Sequence, residues 1–373
     1  MKHMNYGKSN RLLGMILAAG LVITACSGTG ASTAPSVAPT TAPSGDGSAA
    51  PSEATGGLPV PELANVRIGL SVAETSQYAA KLAEQTGIFE KNGLTVEITV
   101  FEGDGKVMQA LQAGQIDIGW GGTSASIASQ ITDAPVVQVA TNAIILSDLL
   151  IGSKDIKTAD DLRGKCVAVS TFGGTSHGAV ILALEALGLT DQDVVITEVG
   201  GQAARISAVE GGSCAAAPVD IARQAEMAEL GLNELTNLAE AGLAWGRSGM
   251  NITKEFKEAN PNTVLVVAAS ALEGQNLMWT DPDLAAEKYA EFIQEPDVAV
   301  AKALILEFQN IGNRDLMWPD EAFSNPQRVL ATTNPPILEI DPSTAFDRSV
   351  LNGLVASGFY EVNEIPIDNP GWE

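Results

Sequence analysis

The chain of 373 residues exceeds one average domain, and with 45% of its residues apolar it can build a sizeable core in two parts. Its 45 acidic residues against 21 basic ones give a formal charge of −24, a field that repels nucleic acid and other polyanions. Beyond the first 26 residues the chain has one histidine, His177, and two cysteines, Cys166 and Cys214, too few for a Cys/His zinc site, so no metal is expected. Gly103-Asp-Gly-Lys106 lacks the rest of a phosphate-cradling loop, and no cofactor is expected.

In chain order, Lys2, Lys8 and Arg11 precede an apolar run over residues 12–24 that is too short to span a bilayer, so residues 1–25 read as a secretory signal. The run ends in Ile23-Thr-Ala-Cys26, small residues before a cysteine that resemble the lipobox of bacterial lipoproteins. That resemblance implies cleavage before Cys26, a lipid on its thiol and attachment to the outer face of a membrane. Residues 26–61 are mostly Ser, Thr, Ala, Pro and Gly, which cannot bury enough apolar surface to fold. They form a tether whose flexible length places the body on the order of 30 Å from its anchor. No later segment is long and apolar enough to cross a membrane.

From residue 66 strand and helix patterns alternate: strands at 66–70, 95–101, 116–120 and 136–140, with helices at 76–93, 105–114 and 123–131 between them. A second run of this type starts at 165, with strands at 166–170, 194–199 and 214–219 and helices at 176–187, 203–210 and 221–230. Such alternation predicts two α/β units, each a mostly parallel sheet flanked by helices. After about residue 253 the chain turns helical. Cys166 and Cys214 each open a strand, so parallel neighbours would start level, and in an oxidising compartment the pair is a candidate disulfide; two free thiols are the alternative.

Ser71-Val-Ala-Glu-Thr-Ser-Gln-Tyr78 followed by AAKLAEQTGIFEKNGLTVEI is similar to the opening of the solute-binding proteins of ABC importers for nitrate, sulfonates, taurine and pyrimidine vitamin precursors. VMQALQAGQIDIGWGG, DDLRGKCVAVSTFGGTSHGAVILALEALGL, ISAVEGGSCAAAPVD and the helix at Asn260-Pro261 match in order, so the resemblance covers about residues 65–355. It implies a two-lobe type II periplasmic-binding-protein fold with two hinge crossovers. One lobe would hold 62–150 with 250–373, the other 151–249. The implied protein is a monomer that captures a small molecule between its lobes and delivers it to a membrane permease and its ATPase. The implied ligand loop contains Ser76, Gln77 and Tyr78. A sensor subunit of the same fold, reporting its ligand to a membrane receptor, is a rival from the same residues.

One tetrapeptide occurs twice at a predicted strand end. Gly121-Gly-Thr-Ser124 and Gly173-Gly-Thr-Ser176 both open helices at the carboxyl edge of a sheet, where α/β proteins bind ligands. Gly122 and Gly174 would let a guest approach, and Thr123, Ser124, Thr175 and Ser176 would clamp its polar end from both sides. Gly174-Thr-Ser-His-Gly178 also matches a nucleophile elbow. A serine esterase using Ser176 needs a histidine base, however, and His177 is its immediate neighbour on the helix, about 100° away. No enzyme is expected, and His177 is instead a neutral hydrogen-bonding candidate. Tyr78, Phe101, Trp120, Phe172 and Trp245 fall at strand ends and would stack on a flat or apolar ligand face. Arg247 would pair a carboxylate or sulfonate, and Asp104 or Asp220 would suit an amine. Arg205, on a polar helix face, reads as solvated, and Lys106 is a further cation candidate. The ligand classes left open are a sulfonate or taurine-like acid and a flat heteroaromatic vitamin precursor.

Overall fold

The structure, a computed structural model, describes residues 57–368. The expected signal, the lipidation site Cys26 and the tether up to residue 56 lie outside the described residues, whereas 57–61, expected in the tether, belong to the folded body because Leu58 is buried in the first core. The first run folds as β1 (Asn65–Leu70), α1 (Tyr78–Gln85), α2 (Ile88–Lys91), β2 (Thr95–Val100), α3 (Asp104–Gln112), β3 (Ile118–Gly121), α4 (Thr123–Ser129) and β4 (Val136–Ile145). The second gives β5 (Asp148–Gly152), β6 (Cys166–Val169), α5 (Thr175–Ala186), β7 (Val195–Glu198), α6 (Gln202–Glu210), β8 (Ala216–Asp220), α7 (Gln224–Glu229), β9 (Asn233–Asn237) and β10 (Ala244–Thr253). Helices α8 (Lys254–Ala259), α9 (Pro261–Thr280), α10 (Pro282–Ile293), α11 (Val298–Ile311) and α12 (Glu321–Thr333) follow, ahead of shorter turns of helix.

Two five-stranded sheets result, ordered β2-β1-β3-β10-β4 and β7-β6-β8-β5-β9. Each is mixed rather than mostly parallel. The three strands of each βαβ run pair in parallel, and the other pairings, β3-β10-β4 and β8-β5-β9, are antiparallel. The chain passes from the first sheet to the second between β4 and β5 and returns between β9 and β10.

Packing explains the helices. In α1 the face Tyr78, Ala79, Leu82 and Ala83 is buried while Lys81 and Glu84 are half-buried at its edge, the 3.6-residue period of an amphipathic helix. It lies on α9, a helix buried along most of its length that opens with Pro261 in its first turn, where a missing N–H costs nothing. A Cβ at Gly274 would come 3.0 Å from the Ala83 methyl, so close approach of these two helices requires glycine there. No helix among the described residues is long and apolar enough to cross a membrane. Cys166 and Cys214 are joined in a disulfide, their Cα atoms 4.6 Å apart, which ties the start of β6 to the residue pair preceding β8.

Candidate ligand site between the two sheets

The carboxyl ends of β1, β3, β6 and β8 face one another across the junction of the two halves. The loops after β1 and β6, with residues of α3, β5, α6 and β10, line a cavity of about 30 Å³, room for one or two waters. Ser76 and Gln77 line it from the first half, Thr175 and Ser176 from the second, and Arg247 from β10. Gln77 folds its own loop as well, its Oε1 accepting from Ser71 N at 2.7 Å and Val72 N at 3.2 Å.

The twin turns do meet, but not as a symmetric clamp. Gly122 and Gly174 approach so closely that a Cβ on either would lie within 2.9 Å of Asp104 Oδ2. In the second turn Ser176 Oγ faces Ser170, accepting from its N–H at 2.9 Å and sharing a 2.7 Å contact with its hydroxyl, while Thr175 Oγ1 donates to Arg247 O at 3.1 Å. In the first turn the hydroxyls point away from the cavity. Thr123 Oγ1 donates to Gln138 Oε1 at 2.9 Å, and Ser124 Oγ is buried without a partner. Thr123 and Ser124 are therefore core residues, because β10 runs directly over them: a Cβ at Gly246 would sit 2.8 Å from Thr123 Cβ.

Four of the five aromatic candidates also belong to cores. Tyr78 is fully buried, stacked on Phe292 at 5.9 Å, with its O–H donating to Gln85 Oε1. Trp120 lies in the first core and donates its indole N–H to Asn142. Trp245 fills the second core, and a Cβ at Gly178 would lie 2.6 Å from its ring. Phe101 covers Gly69 beside the helix α3 cluster. A strand end next to a cleft is also the end of a core layer, and large rings cover the layer. Phe172 is 53% exposed and meets His177 edge-on at 5.3 Å, in a separate groove of about 580 Å³ with Val195 and Leu330. His177 is buried and its Nδ1 accepts from Gly173 N at 3.2 Å. Burial lowers its pKa, against a smaller raising effect of Asp191 and Glu198, which favours the neutral imidazole.

The charges were the least legible part. Arg247 is not a free ligand arm: its guanidinium meets Asp148, Asp220 at 2.8 Å and Glu74 at 3.4 Å, with only Nε left without a partner. Burial opposes its charge, but the three carboxylates more than offset this and its pKa is raised. Burial raises the pKa of Glu74 and of Asp220 despite Arg247. Arg205, expected in solvent, is 3% exposed and lines the cavity. Its Nε and Nη1 donate to the carbonyls of Pro218 and Gly200, both at 3.2 Å, and no carboxylate pairs with it among the described residues. Burial lowers its pKa, and the raising effects of Glu74, Asp148 and Asp104, opposed by Arg247, are too small to offset it. One signal could have found it: Gly200-Gly-Gln202 is a third glycine turn at a strand end, and Arg205 lies one helical turn beyond it. Lys106 points to solvent. Asp104 is buried against main-chain donors rather than an amine.

Comparison with solved structures shows the fold. A protein of Bordetella bronchiseptica RB50 superposes with a TM-score of 0.71 at 20% identity, covering 81% of this chain and 99% of that one. The periplasmic nitrate-binding protein of Synechocystis PCC 6803 gives 0.64 at 15% identity (82% and 92%), and the periplasmic aliphatic sulphonate binding protein of Escherichia coli gives 0.58 at 19% (76% and 92%). The latter two are periplasmic binding proteins, and the two-lobe type II periplasmic-binding-protein fold expected from the sequence is the one found. In sequence, the chain is 29% identical over 223 residues to the taurine-binding periplasmic protein of E. coli K12, covering 58% of this chain and 68% of that one. It is also 32% identical over 132 residues to a putative binding protein of Brucella abortus, of which the match spans 40%. The family model described as NMT1/THI5 like matches residues 76–285, more than half of the chain, and the protein belongs to that family.

Proposed function

We propose that this chain is the solute-binding component of an ABC importer, anchored through Cys26 outside the cytoplasmic membrane, that takes a small organic acid of the sulfonate or taurine type between its two halves. The observation that carries this reading is Arg205, a buried guanidinium in the cleft with no carboxylate partner. A buried guanidinium bonded to carbonyls, with Glu74, Asp148 and Asp104 acting on it only at longer range, keeps a desolvation cost that a ligand's acidic group, bound bidentately, would lower. The hydroxyls of Ser170 and Ser176 stand ready beside it. Relatives named for taurine and aliphatic sulphonate support the class. The flat heteroaromatic alternative loses its main argument, because Tyr78, Phe101, Trp120 and Trp245 are packed in cores.

A cavity of about 30 Å³ cannot admit such a solute, so the halves must part about the two chain crossovers and close again on it. The closed form is what a permease would recognise. Nothing in this cycle needs a covalent step, and Ser176, bonded to Ser170, serves as a polar contact. A thermal-shift panel of taurine, ethanesulfonate, nitrate and an aminopyrimidine tests the class. A true ligand at about 100 times its Kd adds about 2.7 kcal/mol of stability. Stabilisation by taurine or ethanesulfonate is expected; stabilisation by the aminopyrimidine alone contradicts the reading. Transfer of a Cys26→Ala variant from the membrane to the soluble fraction tests the anchor.

A further inference from the structure

The residues around Asp104 make contacts that the solute-binding reading does not explain. The carboxylate is 5% exposed and lines the cavity. Its Oδ1 accepts from Gly122 N and its Oδ2 from Thr175 N, both at 2.9 Å, so a single side chain joins a turn of the first half to the first residue of α5 in the second. The glycines at 122 and 174 are what allow this, since a Cβ at either would crowd Oδ2. The adjoining backbone makes the same crossing. Gly105 N donates to Thr171 Oγ1 at 3.1 Å, and Glu102, held at φ 59, a left-handed conformation unusual for a side-chain-bearing residue, accepts from Gly201 N at 2.9 Å. Two convergent main-chain N–H groups in a buried cleft are the donors a small anion would use. Here an acid of the chain already holds them, while Arg205 in the same cavity donates to carbonyls and feels Asp104 only at longer range.

We propose that Asp104 is a specificity-determining residue whose carboxylate fills the anion position between the halves, so that the site refuses simple inorganic anions and directs a solute's acidic group to Arg205. This deepens, and rests on, the solute-binding reading above. A simple anion entering the closed cleft would have to displace a covalently tethered competitor, whose effective concentration is high. It would also be repelled by that competitor's charge.

Isothermal titration of the full chain with sodium nitrate and sodium sulfate tests the proposal, comparing wild type with Asp104→Ala and with the near-isosteric Asp104→Asn. Wild type is expected to bind neither salt, and Asp104→Ala to bind sulfate at least about tenfold more tightly than wild type. If the alanine variant fails to fold, amide exchange decides. Gly122 and Thr175 N–H should exchange slowly in the solute-free wild type and about tenfold faster or more in Asp104→Asn. Nitrate or sulfate binding by wild type as tight as by the variants overturns the proposal. So does the absence of sulfate binding in all three proteins, or fast exchange of both amides in the solute-free wild type. Taurine and ethanesulfonate titrated into wild type keep the two readings apart: their failure to bind counts against the solute class and leaves the inorganic anions to decide the role of Asp104.

Discussion

The turns at 121–124 and 173–176 share the tetrapeptide Gly-Gly-Thr-Ser, the position after a strand and the helix that follows, yet they are put to opposite uses. In the first, Thr123 and Ser124 are fully buried under β10. In the second, Thr175 and Ser176 line the cavity, and Gly173 takes a left-handed φ of 76° that no residue of the first turn adopts. The difference comes from what packs above. β10 lies over the first turn at Gly246 and meets the second at Arg247 O, which accepts from Thr175 Oγ1, yet Thr175 and Ser176 still line the cavity. A local motif sets where hydroxyls are offered; tertiary cover decides whether a ligand can reach them.

Substitutions can break this contrast, beginning with the largest effect. Arg247→Ala strands Asp148, Asp220 and Glu74 in the closed junction and also disturbs the strand whose carbonyl receives Thr175, so it should cost about 3–5 kcal/mol in chemical denaturation. A loss below about 1 kcal/mol would show that those acids are neutral or hydrated. Gly246→Ala presses a methyl onto Thr123 and should cost about 1–3 kcal/mol of stability; the account has no room for a cost-free substitution there. Thr123→Val removes a buried donor to Gln138 and should cost about 1 kcal/mol of stability while leaving solute affinity within about twofold. Ser176→Ala should also cost about 1 kcal/mol of stability, because Ser170 N–H loses its acceptor, but should in addition weaken solute binding by more than twofold. Equal effects of these two variants on affinity would restore the symmetric clamp.

The smallest expected effect is on pH dependence. Burial raises the pKa of Glu74 and Asp220, so the folded state holds these protons more tightly than the unfolded chain does. Their contribution to stability is therefore fully present below the ordinary carboxylate range and is lost as pH rises through the raised folded values. Unfolding free energies measured across that window should fall less steeply with pH in Glu74→Gln than in wild type, and an unchanged slope would contradict the assignment.

Much of the architecture could be read from the chain because alternation and glycine turns are local signals. The βαβ runs, the helical last third and the strand-end position of the cleft all follow from them. β5 and β10 could not be read this way. β10 carries Gly246, Ser248, Gly249 and Asn251, which have little strand propensity, and it is a strand because Gly249 allows β4 to pass close, its absent Cβ leaving room for Gln138 and Ala140. Insertion of β10 makes the first sheet mixed and hides Thr123, as β5 makes the second sheet mixed. At the site, Ser76, Gln77, Thr175 and Ser176 were accessible from position in the motif. The roles of Arg205 and Arg247 were not, because pairing between charges far apart in sequence, such as Arg247 with Asp148 and Glu74, exists only once the chain is folded.

The account turns on the unpaired guanidinium in the cleft. Isothermal titration of taurine and ethanesulfonate into wild type and Arg205→Ala measures its role directly. The expected result is binding of at least one of them by wild type and a loss of about 2–5 kcal/mol, thirtyfold or more, in the variant, whose folded stability is kept or raised. Equal affinity in the two proteins would show that the solute's acidic group lies elsewhere and would contradict the central claim.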